Sequence, residues 1–464
     1  MLAKEKTIPR DSPLTIANMP LTARHWYIVF VASMEQLIGA SLSTIVGIII
    51  PLLNLILHPE LSSTVQGFMG ASGLIGIAMG SAIIGPLSDK HGYAAWFKIC
   101  PTLILAGSII ACLFPNSVTI CLGLLLAGFG LGGGYTLDSS YISELMPDKW
   151  RSFMVGVSKA ASAIGFIIPA VIALIILRLF PTPDSWRYMI CIIGVLALIT
   201  FLLRVCWPGS PQKLALQGKF AAAQKAASYF FGKKQQLKIT NYNTVNTSTQ
   251  DITKNRNSVW QLFKGRNLCK VIYSGVPWAC EGLGVYGIGV FLPVLIMSLG
   301  IDNSTATGIP KIVNSIGITA IINFSILPGF IIGLIVVRRM NHNTMLWSGF
   351  AGSAIAMGVL LSAYCLHWPS YISICAFAAF EILLNAGPHL VTFIIPTEIY
   401  QVEDRGAGTG VADFLGKLGA ILGVFFMPML LKYGGMKLVL SVTIAVMIAG
   451  GIISLIFGRP AMKN

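Results

Sequence analysis

The sequence predicts an all-α membrane protein of twelve transmembrane helices arranged as two pseudo-symmetric six-helix bundles. Three observations carry that expectation. Of 464 residues, 55% are hydrophobic and 11% charged, against roughly 25% charged in a soluble domain. The apolar residues form long unbroken runs, and backbone in lipid must satisfy its own hydrogen bonds, so runs of this length are helices. The chain also repeats itself. Glu144 to Arg151, followed by Gly156–Val157, returns as Glu398 to Arg405, followed by Gly410–Val411. A second echo joins Gly85, Asp89 and Gly92 to the stretch from Gly333 to Arg338. Repeats of this kind in so apolar a chain point to a secondary transporter of two homologous halves.

The twelve spans fall at about 26–50, 64–86, 95–114, 118–139, 153–178, 187–206, 270–298, 312–336, 344–366, 370–393, 407–431 and 436–457. Each is long enough to cross a hydrocarbon core of about 30 Å. This divides the chain into an N-terminal tail (1–25), a first bundle (26–206), a loop (207–269), a second bundle (270–457) and a short tail (458–464). Within the loop, Leu214 to Phe231 reads as a surface helix, Lys238 to Asn257 as polar linker, and Ser258 to Lys264 as a further short helix.

Twelve crossings place both termini on one side, and the basic residues say which. The opposite side carries only Arg178, Arg187, Lys311, Lys432 and Lys437. Lys159 and Lys417 lie inside spans, and the remaining Lys and Arg fall on the terminus side. The positive-inside rule makes that side cytoplasmic, in a multi-pass protein of the cell membrane. The net charge of +15 is thereby a topology signal rather than a nucleic-acid footprint, because it is spread over short loops. The nine cysteines lack metal-ligand or redox spacing and read as packing residues. No metal, cofactor or enzymatic nucleophile–base pairing is expected, and no ATP-binding motif is present. The glycines 67, 70, 73, 76 and 80 of span 2, and those crowding span 4, read as close helix contacts.

At Gly85-x-x-x-Asp89-Lys90-x-Gly92 the chain resembles the signature loop of the major facilitator superfamily, with Tyr93–Ala94 where a basic pair usually follows. Tyr141–Ile142–Ser143–Glu144 with Pro147 and Arg151, and Pro396–Thr397–Glu398 to Arg405–Gly406, resemble the motifs of one branch. That branch holds sugar porters, phosphate:proton symporters, aromatic-acid symporters and organic-ion transporters. Trp207–Pro208–Gly209–Ser210–Pro211–Gln212 is similar to its motif after span 6, but lacks both charged residues. The sugar pattern fits poorly: Cys280, Glu281 and Tyr286 stand where sugar porters carry hydrogen-bonding amides. The phosphate pattern fits better. Gly132 to Leu137 resembles its span 4 motif with Gly134 in place of an Asp. Trp278 and Tyr286 match in span 7, and Gly416–Lys417–Leu418–Gly419–Ala420–Ile421 matches in span 11. The resemblance implies that spans 1, 4, 7 and 10 line a central cavity and that Lys417 meets an anion.

Charges inside a membrane are costly and mark bundle interiors or solute paths. Seven stand out: Glu35, Asp138, Lys159, Glu281, Glu381, Asp413 and Lys417. A carboxylate in a poorly hydrated cavity can take a proton near neutral pH. Glu35, Asp138, Glu281 and Asp413 are therefore the proton-coupling candidates, and Glu381 reads as structural. Lys417, four residues after Asp413, shares its helix face. Lys417 and Lys159 are the candidate substrate cations, with Tyr135, Trp278 and Tyr286, and also Phe291, as candidate walls. By resemblance, Asp89, Glu144 and Arg151 in one half and Arg338, Glu398 and Arg405 in the other form a cytoplasmic gate of ion pairs.

The expected function is proton-coupled symport of a small hydrophilic solute, an organic acid or phosphate-like anion, by rocker-switch alternating access. The alternatives are a proton antiporter exporting a cationic or amphiphilic compound, a sugar:proton symporter, and a non-transporting solute sensor. The expected partners are the solute, protons and the lipid bilayer, with no nucleic acid and a monomeric chain.

Overall fold

The computed structural model describes residues 21–57, 60–91, 93–147, 149–205, 207–211, 214, 219–231, 262–301, 307–337, 339–400 and 405–462. Eleven helical stretches are long and apolar enough to cross a membrane. The last, within Arg405–Met462, is two helices joined at Gly435, whose φ of 62° and ψ of −165° break the helical path. Only a residue without a Cβ enters that conformation cheaply. The crossings are therefore twelve: α1 Ala23–Ile56, α2 Ser63–His91, α3 Tyr93–Leu113, α4 Ser117–Leu145, α5 Arg151–Leu179 and α6 Trp186–Arg204. The second half holds α7 (Arg266–Gly282, Leu283–Ile288 and Gly289–Leu299), α8 (Ile309–Phe324 and Ile326–Val336) and α9 (His342–Cys365). It continues with α10 (Ser370–Ala386 and Pro388–Ile399), α11 (405–434) and α12 (436–462). The chain is a multi-pass membrane protein with the major facilitator fold, and with twelve crossings α1 begins and α12 ends on the same side.

Local signals set the helix ends. Thr22 and His25 close a capping box before α1, and the Asn116 and Asn341 side chains accept amide protons at the starts of α4 and α9. These caps satisfy backbone donors that have no helical partner. Two interruptions lie at mid-membrane depth. The middle of α7 is a π-helical turn, Leu283–Ile288, which carries Tyr286. α10 breaks at Gly387 (φ −114°, ψ −92°) and restarts at Pro388, which needs no amide donor there. Irregular backbone at this depth is tolerated where protein or a cavity surrounds it.

Within the first half α1 packs on α5, α2 and α3 on α4, and α3 on α6. The glycine stripe of α2 divides its work. A Cβ at Gly76 or Gly80 would run into the α4 backbone at Leu125 or Phe129, whereas one at Gly67 would meet the Phe425 carbonyl of α11. Gly47 likewise abuts Val290 of α7, and Asn323 of α8 donates to the Phe166 carbonyl of α5 at 3.0 Å. The Gly67–Phe425 and Gly47–Val290 contacts lie toward the face opposite the termini, where the halves meet nearly backbone to backbone, and the Asn323–Phe166 bond lies near the middle of its two spans. Phe291, a candidate wall residue, is buried in this seam against Gly70 and lines a vestibule of about 530 Å³ above it.

Of the expected loop helix Leu214–Phe231, Phe220–Phe231 is helical and 215–218 lie outside the described residues; Arg24 donates to the Tyr229 carbonyl at 2.6 Å. The expected linker lies outside the described residues, as does most of the expected short helix after it.

Candidate functional site

The membrane-buried charges gather into three groups. The first is built from α1, α4 and α6. Arg204, at the last turn of α6, points inward with no exposed surface. Its guanidinium donates to Glu35 Oε1 at 2.6 Å, to both Asp138 carboxylate oxygens at 2.8 and 2.7 Å, and to the Val31 carbonyl at 3.2 Å. Its plane lies over the rings of Phe97 (5.5 Å) and Trp207 (5.7 Å). Two carboxylates thus face one guanidinium in a buried site, and among the described residues Glu35 Oε2 has no hydrogen-bond partner. Sequence reasoning assigned Arg204 to the cytoplasmic loop charges, and the structure corrects this. The signal was its place inside span 6 at 187–206, before Trp207. Gly134 explains one departure from the phosphate-symporter pattern. A Cβ at 134 would overlap the Glu35 carboxylate, so an Asp has no room there.

The second group joins the halves. Lys159 on α5 is half-buried; its Nζ donates to Gln36 Oε1 at 3.2 Å and lies over the rings of Tyr135 (5.1 Å) and Phe393 (4.5 Å). Among the described residues it has no carboxylate at ion-pair distance. Phe393, from α10, is itself edge-on to Trp278 at 4.7 Å, and Trp278 rests against Gly416, where a Cβ would crowd the indole. Lys417 differs: its Nζ is 2.6 Å from Asp413 Oδ2, one helical turn away, and donates to Ser81 Oγ of the other half at 2.9 Å. The structure therefore gives Lys417 a counter-ion, and among the described residues Lys159 has neutral partners only. Tyr286 reaches across to Phe166, ring centroids 6.5 Å apart.

The third group lies in the second half. Glu281 on α7 forms a short hydrogen bond through Oε1 with His389 Nδ1, just past the break in α10. The His389 ring is edge-on to Phe330 (5.3 Å) and Phe393 (6.0 Å). Sequence reasoning missed His389, although the repeat marks it: it precedes Glu398 by the same count that separates Tyr135 from Glu144. Glu381 stands apart, its carboxylate taking 3.1 Å from Asn385 Nδ2.

The candidate gate is partly described. The side chains of Asp89 and Arg405, and the whole of Arg338, lie outside the described residues. Glu144 accepts from Tyr93 Oη at 2.8 Å and, in a shorter bond, from Ser210 Oγ. Tyr93 and Ser210 occupy motif stretches that ordinarily carry charge, so neutral donors from the start of α3 and from the stretch after α6 hold this carboxylate. Glu398 pairs with His342 Nδ1 at 2.8 Å, and Arg151 is exposed. Among the described residues no cluster of three or more His, Cys, Asp or Glu is placed to hold a metal ion.

Residues 23–464 match the family described as "Sugar (and other) transporter". The chain belongs to that family. It is 24% identical over 444 residues to the inner membrane metabolite transport protein YgcS of Escherichia coli K12, covering 96% of this chain and 93% of that one. It is 23% identical over 447 residues to the niacin transporter NiaP of Acinetobacter baylyi, covering 96% of each. Among solved structures, the xylose transporter XylE of E. coli in a partially occluded inward-open conformation superposes with a TM-score of 0.76. That match has 18% identity over 93% of this chain and 97% of the other. Members of this family are transporters, so the chain is a transporter of the sugar and metabolite type and not an enzyme.

Proposed function

We propose that the chain is a proton-coupled symporter that takes up a small organic anion by alternating access. The observation that carries this reading is Lys159, a cation at the junction of the halves whose described partners are an amide oxygen and two aromatic faces. A buried or half-buried ammonium without a counter-ion is costly, and a solute carboxylate supplies one. This moves the chief substrate contact from Lys417 to Lys159, with Tyr135, Trp278 and Tyr286 around it and the Lys417–Asp413 pair as a neighbouring electrostatic brace.

The proton sits in the Glu35–Asp138–Arg204 cluster. With both carboxylates ionised this buried site holds a net negative charge, and one proton neutralises it. Solute anion on Lys159 and proton on the cluster together add no net charge to the membrane interior, which favours movement of the loaded carrier. The halves 26–206 and 270–457 rock about this site, with Asp89, Glu144, Arg151, Arg338, Glu398 and Arg405 gating the terminus side. The positive-inside bias makes that side cytoplasmic.

A second reading, sugar:proton symport, is favoured by family membership and by a relative named a glucose transporter, GlcP of Staphylococcus epidermidis. One experiment separates the two. The protein is reconstituted in liposomes with an internal pH dye, and organic acids, phosphate, sugars and organic cations are added outside in turn. Acidification by organic acids that disappears in Lys159→Ala supports the anion. Acidification by sugars alone, independent of Lys159, overturns it.

A further inference from the structure

The Glu281–His389 pair has no part in the proton and anion sites described above, yet it borders them. Phe393 is the link: Lys159 Nζ lies 4.5 Å from its centroid on the α5 side, and the His389 ring lies edge-on to it at 6.0 Å. Trp278 backs the same ring at 4.7 Å. A cation and an imidazole therefore flank one aromatic wall, each from a different half of the carrier.

The pair's own chemistry decides what His389 offers. Glu281 is 1% exposed, and no Lys or Arg among the described residues pairs with it. An isolated carboxylate there is far costlier than a pair of zero net charge. In the neutral pair one proton occupies the link between His389 Nδ1 and Glu281 Oε1. Whether that proton is assigned to nitrogen or oxygen, the imidazole carries a second proton on Nε2. Nε2 is then a hydrogen-bond donor in either form. It has no hydrogen-bond partner among the described residues and is not among the fully buried polar atoms that lack one, so part of its surface is accessible. His389 lies two residues past the helix break at Gly387, at the place in the repeat that Tyr135 holds in the first half.

We propose that His389 contacts the transported solute. Its Nε2–H, aimed by Glu281, donates to an acceptor on the body of a flat organic anion whose carboxylate sits on Lys159 and whose face lies along Phe393 and Trp278. The solute class is a planar, ring-bearing carboxylate with a second acceptor remote from the acid group. Glu281 is a positioning residue that sets which imidazole nitrogen bears the proton. The inference rests on the anion reading of Lys159.

The test uses the full chain in nanodiscs and measures binding of benzoate and of the three pyridine-carboxylate isomers by titration calorimetry. Benzoate has the acid and the ring; the pyridine-carboxylates add an acceptor. In the native protein at least one isomer binds about tenfold tighter than benzoate, the effect of one hydrogen bond to a strong donor. His389→Phe removes that advantage while benzoate binding remains measurable, which also shows that the variant is folded. His389→Gln, which keeps an N–H donor, retains part of the advantage. Glu281→Leu weakens it several-fold with His389 still in place, because a neutral imidazole without that partner is free to carry its one proton on either nitrogen; a purely structural role for Glu281 would not change selectivity alone. An isomer preference that is absent, or that survives in His389→Phe, overturns the proposal by itself if carboxylates still bind through Lys159. Failure of every carboxylate to bind, or benzoate binding unchanged in Lys159→Ala, overturns the anion reading as well.

Discussion

Arg204 Nη1 lies 2.6 Å from Glu35 Oε1, so the last turn of α6 is tied through a buried ion pair to the middle of α1. The same guanidinium reaches Asp138 of α4 at 2.7 Å, and one cation holds three helices of the first half together. Removing one partner of such a buried network leaves the others as uncompensated charges, at a cost of about 3–5 kcal/mol. Arg204→Leu is expected to lower the thermal unfolding midpoint of the detergent-solubilised protein sharply. Adding Glu35→Gln and Asp138→Asn to Arg204→Leu removes the orphaned charges and is expected to recover most of the loss. Intrinsic-fluorescence melting of the three proteins checks both statements, and an unchanged midpoint in Arg204→Leu would contradict the pairing.

The same cluster holds the proposed proton. Glu35→Gln and Asp138→Asn each mimic a permanently protonated site. They are expected to abolish pH-driven accumulation by at least tenfold while solute exchange at equal pH persists. One anion moving with one proton carries no net charge, so an imposed potassium diffusion potential should leave native uptake unchanged. Tracer flux in proteoliposomes measures all three. Voltage-dependent uptake would rule out the one-to-one ratio.

Lys159 and Lys417 are expected to separate. Lys159→Ala removes the cation that lacks a counter-ion, and solute affinity should fall about tenfold or more with little loss of stability. Lys417→Ala leaves Asp413 alone on its helix face. This site is part-exposed, so solvent screening keeps the stability loss to about 1 kcal/mol, with a smaller effect on affinity than Lys159→Ala. Equilibrium binding alongside thermal melting reads the difference, and the reverse ranking would restore Lys417 as the main contact.

Gly134→Ala places a methyl group where the Glu35 carboxylate lies. Overpacking of a tight core costs about 1–3 kcal/mol, and here it also displaces Glu35 from Arg204. The variant is expected to lose proton-driven uptake before it loses the fold. Gly85→Ala is the control, because its nearest neighbour across the gap is 3.8 Å away. Equal damage from the two would mean that the fit around Glu35 is not what matters.

The architecture was legible because hydropathy and repetition act along the chain. A run of some twenty apolar residues has no other stable state in lipid, and the repeated Glu–Arg–Gly–Val pattern required duplicated halves. The acids and lysines of the spans were visible for the same reason: a charge among apolar neighbours is conspicuous. Their partners were less visible. Arg204 stands at a span end beside Trp207, where linear order cannot distinguish an inward guanidinium from a loop charge. His389 hid because its importance comes from Glu281, more than a hundred residues earlier. Tyr93 and Ser210 looked like gaps in charged motifs, and they prove to donate to Glu144.

By itself the sequence determined the membrane habitat, the twelve crossings, the duplicated bundles and the set of intramembrane charges, since each follows from the cost of exposing polar groups to lipid along a continuous chain. Tertiary structure alone decided how those charges are distributed. It gave Asp413 to Lys417, Arg204 to Glu35 and Asp138, and His389 to Glu281, and left Lys159 among aromatic faces. Which charges neutralise one another depends on distances of a few ångströms between helices far apart in the chain, and electrostatic energy in a dry interior is steep over those distances.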